Sequence, residues 1–137
     1  MALALPKEKK APQAPEQWTA RGGSLPEWMV YLALLHTGRK EFVDFVYQAK
    51  FAGGRLTKGG AIADFLIYSP RMGINVQSVY YHARTANQRA HDRLQREMYE
   101  ALGIPMSYIT EEQALENADH YVGLALTGQL YQGPLGI

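Results

Sequence analysis

Cysteine is absent from this sequence of 137 residues, so the chain forms neither disulfides nor thiolate zinc sites. No apolar run approaches the roughly 20 residues that a membrane-spanning helix needs. The stretch from Met1 to Pro6 is too short, and its flank too weak, for a secretory signal. Signatures of ATP-binding P-loops, dinucleotide sites and serine nucleophiles are missing as well. These absences favour a cytoplasmic protein and leave ATP use, dinucleotide binding and acyl transfer without support.

Positive charge is missing from residues 97–137, which hold six acids and no Lys or Arg. Residues 1–96 hold all fourteen Lys and Arg against seven acids, a net charge of +7. A region this basic suits a phosphate backbone or an acidic protein surface. The alternative is an accident of which helix faces solvent, and composition leaves both open.

The length and the hydrophobic fraction of 47% predict one domain with a single core. Residues 1–22 are rich in Lys, Ala and Pro without an apolar period, which predicts an extended, basic N-terminal tail. The domain is expected over 23–128, followed by a C-terminal tail over 129–137.

Helix and strand signals predict the order α-β-β-β-α-β-α. Capping boxes begin the first helix at Ser24 with Glu27 and the last helix at Thr110 with Gln113. The predicted elements are a helix over 25–37, strands over 42–51, 61–68 and 73–81, a helix over 84–102, a strand over 104–109 and a helix from 110 to 126. Three consecutive strands and a fourth joined by a crossover favour an α/β fold with a four-stranded mixed sheet flanked by helices.

Several landmarks in this order resemble the very-short-patch-repair branch of the PD-(D/E)XK nucleases. The resemblance covers about residues 24–126 and implies a restriction-endonuclease-like α-β-β-β-α-β core. The segments that carry it are Gly53-Gly54-Arg55, Gly59-Gly60-Ala61-Ile62-Ala63-Asp64-Phe65, Gly73-Ile74-Asn75-Val76-Gln77, Tyr80-Tyr81-His82, Asp92-Arg93 and Leu102-Gly103-Ile104.

The resemblance also implies where a nuclease site would lie. Asp64 matches the aspartate of the family's second strand, but Asn75-Val76-Gln77 stands where the third strand carries its E-X-K unit. Magnesium prefers anionic oxygens, and a neutral amide at position 77 cannot stabilise transition-state charge as a cation does. The expected scaffold therefore carries a degenerate site.

Two acids are candidate metal ligands. Asp64 lies in an otherwise apolar strand, where a carboxylate is costly unless it is paired, hydrogen-bonded or metal-bound. It is therefore either a ligand, active or relic, or a structural hydrogen-bonding group. Glu27 either supplements the metal site, as a first-helix acid does in some relatives, or only completes the capping box of Ser24.

His82 matches a catalytic histidine of the very-short-patch-repair branch, and Asp92 is placed to orient it. The branch's other catalytic histidine would fall at Gln77 and is missing. The alternatives are a structural or relic histidine at 82 and a solvated helical turn at Asp92 and Arg93.

Basic residues on the long helix and the turn before the Asp64 strand predict a phosphate-contacting edge with sequence-independent, salt-sensitive DNA binding. These residues are Arg55, Lys58, Arg84, Arg89, Arg93 and Arg96. The competing interpretations are a solvated helix face and docking on an acidic protein, including residues 97–137 of a neighbouring copy.

Together these features predict a catalytically degenerate nuclease-fold protein that acts as a structural or interaction module without a cofactor. The motif arrangement resembles phage-encoded proteins, which implies a virion or head–tail component assembled from the cytoplasm, with partners bound through residues 1–22 and 130–137 and no membrane contact. The alternative is a Mg²⁺-dependent nicking endonuclease that uses Asp64, His82 and Asp92.

Overall fold

The structure, a computed structural model, describes residues 13–50, 62–77 and 86–130. Its elements, in chain order, are α1 (Glu16–Ala20), α2 (Leu25–His36), β1 (Phe45–Lys50), β2 (Ile62–Tyr68), β3 (Arg71–Gln77), α3 (Ala86–Ala101), β4 (Met106–Thr110) and α4 (Glu111–Leu126). Within those three ranges, no helix combines the length and the hydropathy needed to cross a bilayer.

The four strands form one mixed sheet in the order β1-β2-β3-β4. The first three strands are antiparallel neighbours, and β4 returns parallel to β3 after the crossover that contains α3. The core cluster shared by α1, α2, α4 and the sheet is larger than the second cluster, where Tyr99 of α3 meets Ile104 and Met106. The predicted α/β architecture with a four-stranded mixed sheet flanked by helices is confirmed.

Local signals located several elements correctly. Ser24 and Glu27 form the predicted reciprocal capping box at the start of α2, and Thr110 with Gln113 does the same for α4. The β2–β3 hairpin closes through the two-residue turn Ser69-Pro70, so β3 begins at Arg71 rather than at residue 73. Residues 51–61 and 78–85 are outside the described ranges. The predicted end of β1 at residue 51, the predicted start of β2 at residue 61 and the predicted end of β3 at residue 81 therefore lie outside them as well.

The first strand begins at Phe45 rather than at residue 42. Phe42 has a positive φ of 70°, and its N–H donates to the Phe45 carbonyl at 2.7 Å, so residues 42–44 form a turn. The β-favouring side chains of Phe42 and Val43 therefore misled the prediction, because strand propensity mostly reflects packing that this turn does not provide.

The buried face of α2 also differs from the predicted one. Val30, Ala33 and Leu34 are its most buried residues, whereas the predicted face of Trp28, Tyr31, Leu32 and Leu35 is partly buried or exposed. The helix is apolar nearly all round, so periodicity does not determine which side meets the sheet.

The expectation of an extended tail over residues 1–22 is wrong for Glu16–Ala20, which form α1. Trp18 is only 2% exposed, and its indole N–H donates to the Ser24 carbonyl at 2.9 Å. Gly23 permits this packing, since a Cβ there would lie 2.1 Å from Trp18 Nε1. A single aromatic anchor thus organises a helix too short to be stable alone. Residues 1–12 and 131–137 lie outside the described part of the chain.

Candidate functional site

The central feature of the candidate site is a clamp between β2 and β3. Regular pairing runs from Tyr68 opposite Arg71 to Phe65 opposite Ile74. Beyond that point, Asn75 Oδ1 accepts the Asp64 backbone N–H at 2.8 Å, and Asp64 Oδ2 accepts the Val76 backbone N–H at 2.7 Å. The Asp64–Asn75 clamp therefore replaces backbone pairing with two reciprocal side-chain bonds.

Glu27 lies at the first turn of α2 and connects that helix to the sheet. Its Oε1 accepts the Ser24 backbone N–H at 2.9 Å, which is the predicted capping contact. Its Oε2 accepts the hydroxyl of Tyr47 on β1 at 3.1 Å. Glu27 also interacts electrostatically with Asp64. The two acids proposed as metal ligands thus lie together, and the capping interpretation of Glu27 is confirmed.

The surroundings disfavour charge on Asp64. Burial, and after it the negative charge and hydrogen bond of Glu27, raise the pKa of Asp64 to about 7, although the Val76 N–H acts in the opposite direction. This is the direction expected for a buried carboxyl that lies beside a second acid.

Two tyrosines complete the environment of this carboxyl pair. Burial and then the charge of Glu27 raise the pKa of Tyr47, while burial and then the charge of Asp64 raise the pKa of Tyr99 on α3. Both phenols therefore stay protonated at neutral pH. Sequence reasoning missed both, although an aromatic side chain within the strongly polar α3 was a usable signal.

The carboxyl pair meets the minimum for Mg²⁺, which uses one or two carboxylates. However, both Glu27 oxygens and one Asp64 oxygen already accept hydrogen bonds. The third-strand positions contribute only amides, from Asn75 and the largely buried Gln77. Among the described residues, no group of three or more His, Asp or Glu side chains is arranged to hold a metal ion.

Most of the remaining predicted site residues lie outside the part of the chain that the structure describes. His82, Arg55, Lys58 and Arg84 lie outside the described residues, and the side chains of Arg89 and Asp92, within α3, also lie outside them. Arg93 is exposed. Arg96 forms an i,i+4 ion pair with Glu100, in which Arg96 Nε lies 3.9 Å from Glu100 Oε1. A DNA-binding edge therefore stays a prediction.

Comparison with known proteins adds no relative. No protein-family model matches the chain, and neither a curated protein nor a solved structure is significantly similar to it.

Proposed function

We propose that this protein is a catalytically degenerate member of the restriction-endonuclease-like fold that serves as a structural or interaction module. The element order from α2 to β4 and the antiparallel β1-β2-β3 unit with a parallel β4 are consistent with that fold. Asp64 on β2 lies beside Asn75 on β3, as the resemblance requires.

The observation that carries this proposal is the Asp64–Asn75 clamp. In a working site the residue at position 75 would be an acid turned toward a metal, but here its amide oxygen accepts a backbone N–H of β2. Asp64 in turn satisfies a backbone N–H of β3. Buried polar groups paired in this way stabilise and position strands, because each unmade bond costs about 1–3 kcal/mol. Both residues thus have a complete structural role without catalysis.

The alternative is a Mg²⁺-dependent nicking endonuclease that uses Asp64, His82 and Asp92. The observation in its favour is the adjacency of Asp64 and Glu27, since a carboxyl whose pKa is raised by burial and by a neighbouring acid often marks a functional site. Asp64 and Glu27 would hold the ion, which would polarise a phosphate and activate water. Gln77 would contribute no cation to that chemistry.

The setting of the module is proposed from the resemblance and the charge distribution. A virion or head–tail component assembled from the cytoplasm would use residues 1–22 and 130–137 to contact protein partners. Contact with DNA, through the arginines of α3 and the preceding segments, would depend on salt rather than on base sequence.

Incubation with supercoiled plasmid and Mg²⁺ or Mn²⁺ tests the main proposal. Wild-type protein should produce no more nicked plasmid than the matched variant Asp64→Asn. The variant carrying Asn75→Glu and Gln77→Lys, which restores both missing charges, shows whether the scaffold supports cleavage once they are present. Nicking by the wild type that Asp64→Asn abolishes would establish the endonuclease alternative instead.

A further inference from the structure

Large apolar side chains are exposed where the loop before β1 meets the β2–β3 turn. Phe42 is 74% exposed, Val43 67% and Tyr68 46%. The segments are held together, because the Tyr68 N–H donates to the Asp44 carbonyl at 3.0 Å and Arg39 Nη2 donates to the Ser69 carbonyl at 3.1 Å. Large exposed apolar side chains on segments held together in this way commonly mark an interaction surface.

The backbone at Phe42 adds a second observation. Its φ of 70° is rare for a bulky residue and costs about 1–3 kcal/mol. Within the described structure the Phe42 ring is mostly in solvent, so burial of that ring does not offset the strain. Strain of this kind collects at functional sites, and here it holds an aromatic ring outward.

This surface is positively charged. Lys40 and Arg71 are exposed beside the apolar side chains. Glu41 forms an ion pair with Arg21, and the half-buried Asp44 accepts the Lys40 backbone N–H at 2.8 Å, so the two exposed cations outnumber the one remaining acid. We call the set Lys40, Phe42, Val43, Tyr68 and Arg71 the loop patch.

A complementary surface lies on α4. Glu112, Leu115 and Glu116 are exposed and share one helix face at i, i+3 and i+4 spacing, while the exposed Asp119 follows a kink at Asn117 and lines the same pocket as Leu115 and Glu116. A pocket of about 210 Å³ between α4 and α2 is lined by the apolar Met29, Leu32 and Leu115 and by the acids Glu116 and Asp119. His36 also lines it, and its Nδ1 lies 2.9 Å from Asp119 Oδ1, so Glu112 and Glu116 are the main carboxylates that this surface offers. We call Glu112, Leu115, Glu116 and Asp119, with this pocket, the acidic face.

We propose that the partner of the loop patch is the acidic face of a second copy of this chain. Phe42 would enter the apolar pocket, and Lys40 and Arg71 would lie against the carboxylates around it. Opposite charges on the two surfaces favour encounter and orientation, while the aromatic side chain supplies most of the affinity. The inference rests on the proposed function, an interaction module, and names the partner of that module.

Two copies can exchange this contact reciprocally in a closed dimer or use it head-to-tail. In a head-to-tail arrangement, each copy that uses its loop patch still offers its acidic face to the next copy. Such contacts generate rings when the rotation between copies closes and filaments when it does not. A protein of a repetitive assembly would use this property directly.

Sedimentation velocity of the full chain over a concentration series at low and high salt tests the proposal. Wild-type protein should associate reversibly and more weakly at high salt. Phe42→Ser should raise the dissociation constant about tenfold or more, because it removes the apolar anchor. Leu94→Ser, which alters a leucine on α3 that is 55% exposed, is the control and should leave association unchanged.

Charge reversal identifies the pairing of the two surfaces. Arg71→Glu and Glu116→Arg should each weaken association, and the variant that carries both changes should recover it. Glu97→Arg on α3 is the control and should leave association unchanged. Circular dichroism confirms that each variant is folded. Monomeric wild-type protein at low salt, or association indifferent to Phe42→Ser and Glu116→Arg, would overturn the proposal. Plasmid nicking by a protein that associates as described would reject only the proposed function.

Discussion

The two ends of the β2–β3 hairpin depart from the usual distribution of polar and apolar groups in opposite ways. At the open end, two acids and two phenols lie in or beside the core, and Asp64 bonds to the backbone of β3. At the turn end, Phe42, Val43 and Tyr68 are exposed beside two cations. Buried polar groups whose hydrogen bonds are made within the fold need only a structural explanation. The exposed apolar groups have no such explanation, and we propose that they contact a second copy of the chain.

This contrast separates the measurable effects of mutation. Changes at the open end should alter folding stability and its dependence on pH. Changes at the turn end should alter association while leaving monomer stability equal or improved.

The largest expected effect is the pH dependence that Asp64 creates. Because its pKa is raised in the fold from 3.8 to about 7, folding stabilises the protonated form. That stability is fully present below the unfolded pKa and is lost as pH rises through the folded pKa. We expect wild-type protein to lose roughly 2–4 kcal/mol relative to Asp64→Asn between about pH 4 and pH 7.5. Urea unfolding of both proteins across this range measures the difference; parallel curves would show that Asp64 titrates normally.

Asp64→Ala should lower the free energy of unfolding by about 2–3 kcal/mol near pH 5, because the Val76 N–H loses its acceptor and a small cavity remains. Asp64→Asn retains an acceptor and should stay within about 1 kcal/mol of wild type at that pH. Equilibrium unfolding compares the two variants. Equal losses would show that the acceptor for the Val76 N–H contributes nothing to stability.

Tyr47→Phe should cost about 1 kcal/mol, because Glu27 Oε2 loses the phenol that donates to it. Tyr68→Phe, at the opposite end and exposed, is the matched control and should stay within about 0.5 kcal/mol of wild type. If the two variants unfold alike, the open end does not have the internal hydrogen-bond network described for it.

The smallest predicted effect has the opposite sign. Phe42→Gly should raise monomer stability by about 0.5–1 kcal/mol, since glycine adopts a positive φ without strain. The same change should reduce self-association. Val43→Gly lacks the strained position and should bring no gain in the same unfolding assay. A loss of stability at Phe42 would show that its ring supports the loop from within.

Local sequence signals account for much of the fold. The capping boxes at Ser24 and Thr110 placed α2 and α4, and Ser69-Pro70 placed the hairpin turn. The same signals could not predict α1, whose five residues depend on the tertiary contacts of Trp18. They also placed the start of β1 at Phe42, where backbone geometry overrides side-chain propensity.

Part of the candidate site was also predictable. The positions of Asp64 and Asn75 on adjacent strands placed their side chains near one another. The bond from Tyr47 to Glu27 and the raised pKa of Asp64 depend on how α2 packs over the sheet, which no local pattern encodes.

The central claim is that Asp64 has a structural role and not a catalytic one. Its most direct test is whether divalent metal ions change the unfolding midpoint at about pH 8, where the Asp64 carboxyl is mostly ionised. Wild type and Asp64→Asn would be unfolded with Mg²⁺ or Mn²⁺ and with monovalent salt at equal ionic strength. A ligand that binds only the folded state raises the unfolding midpoint with concentration. We predict the same midpoint with divalent and monovalent salt for both proteins. A saturable, metal-specific rise for wild type that is absent in Asp64→Asn would contradict the account and make Asp64 a metal ligand.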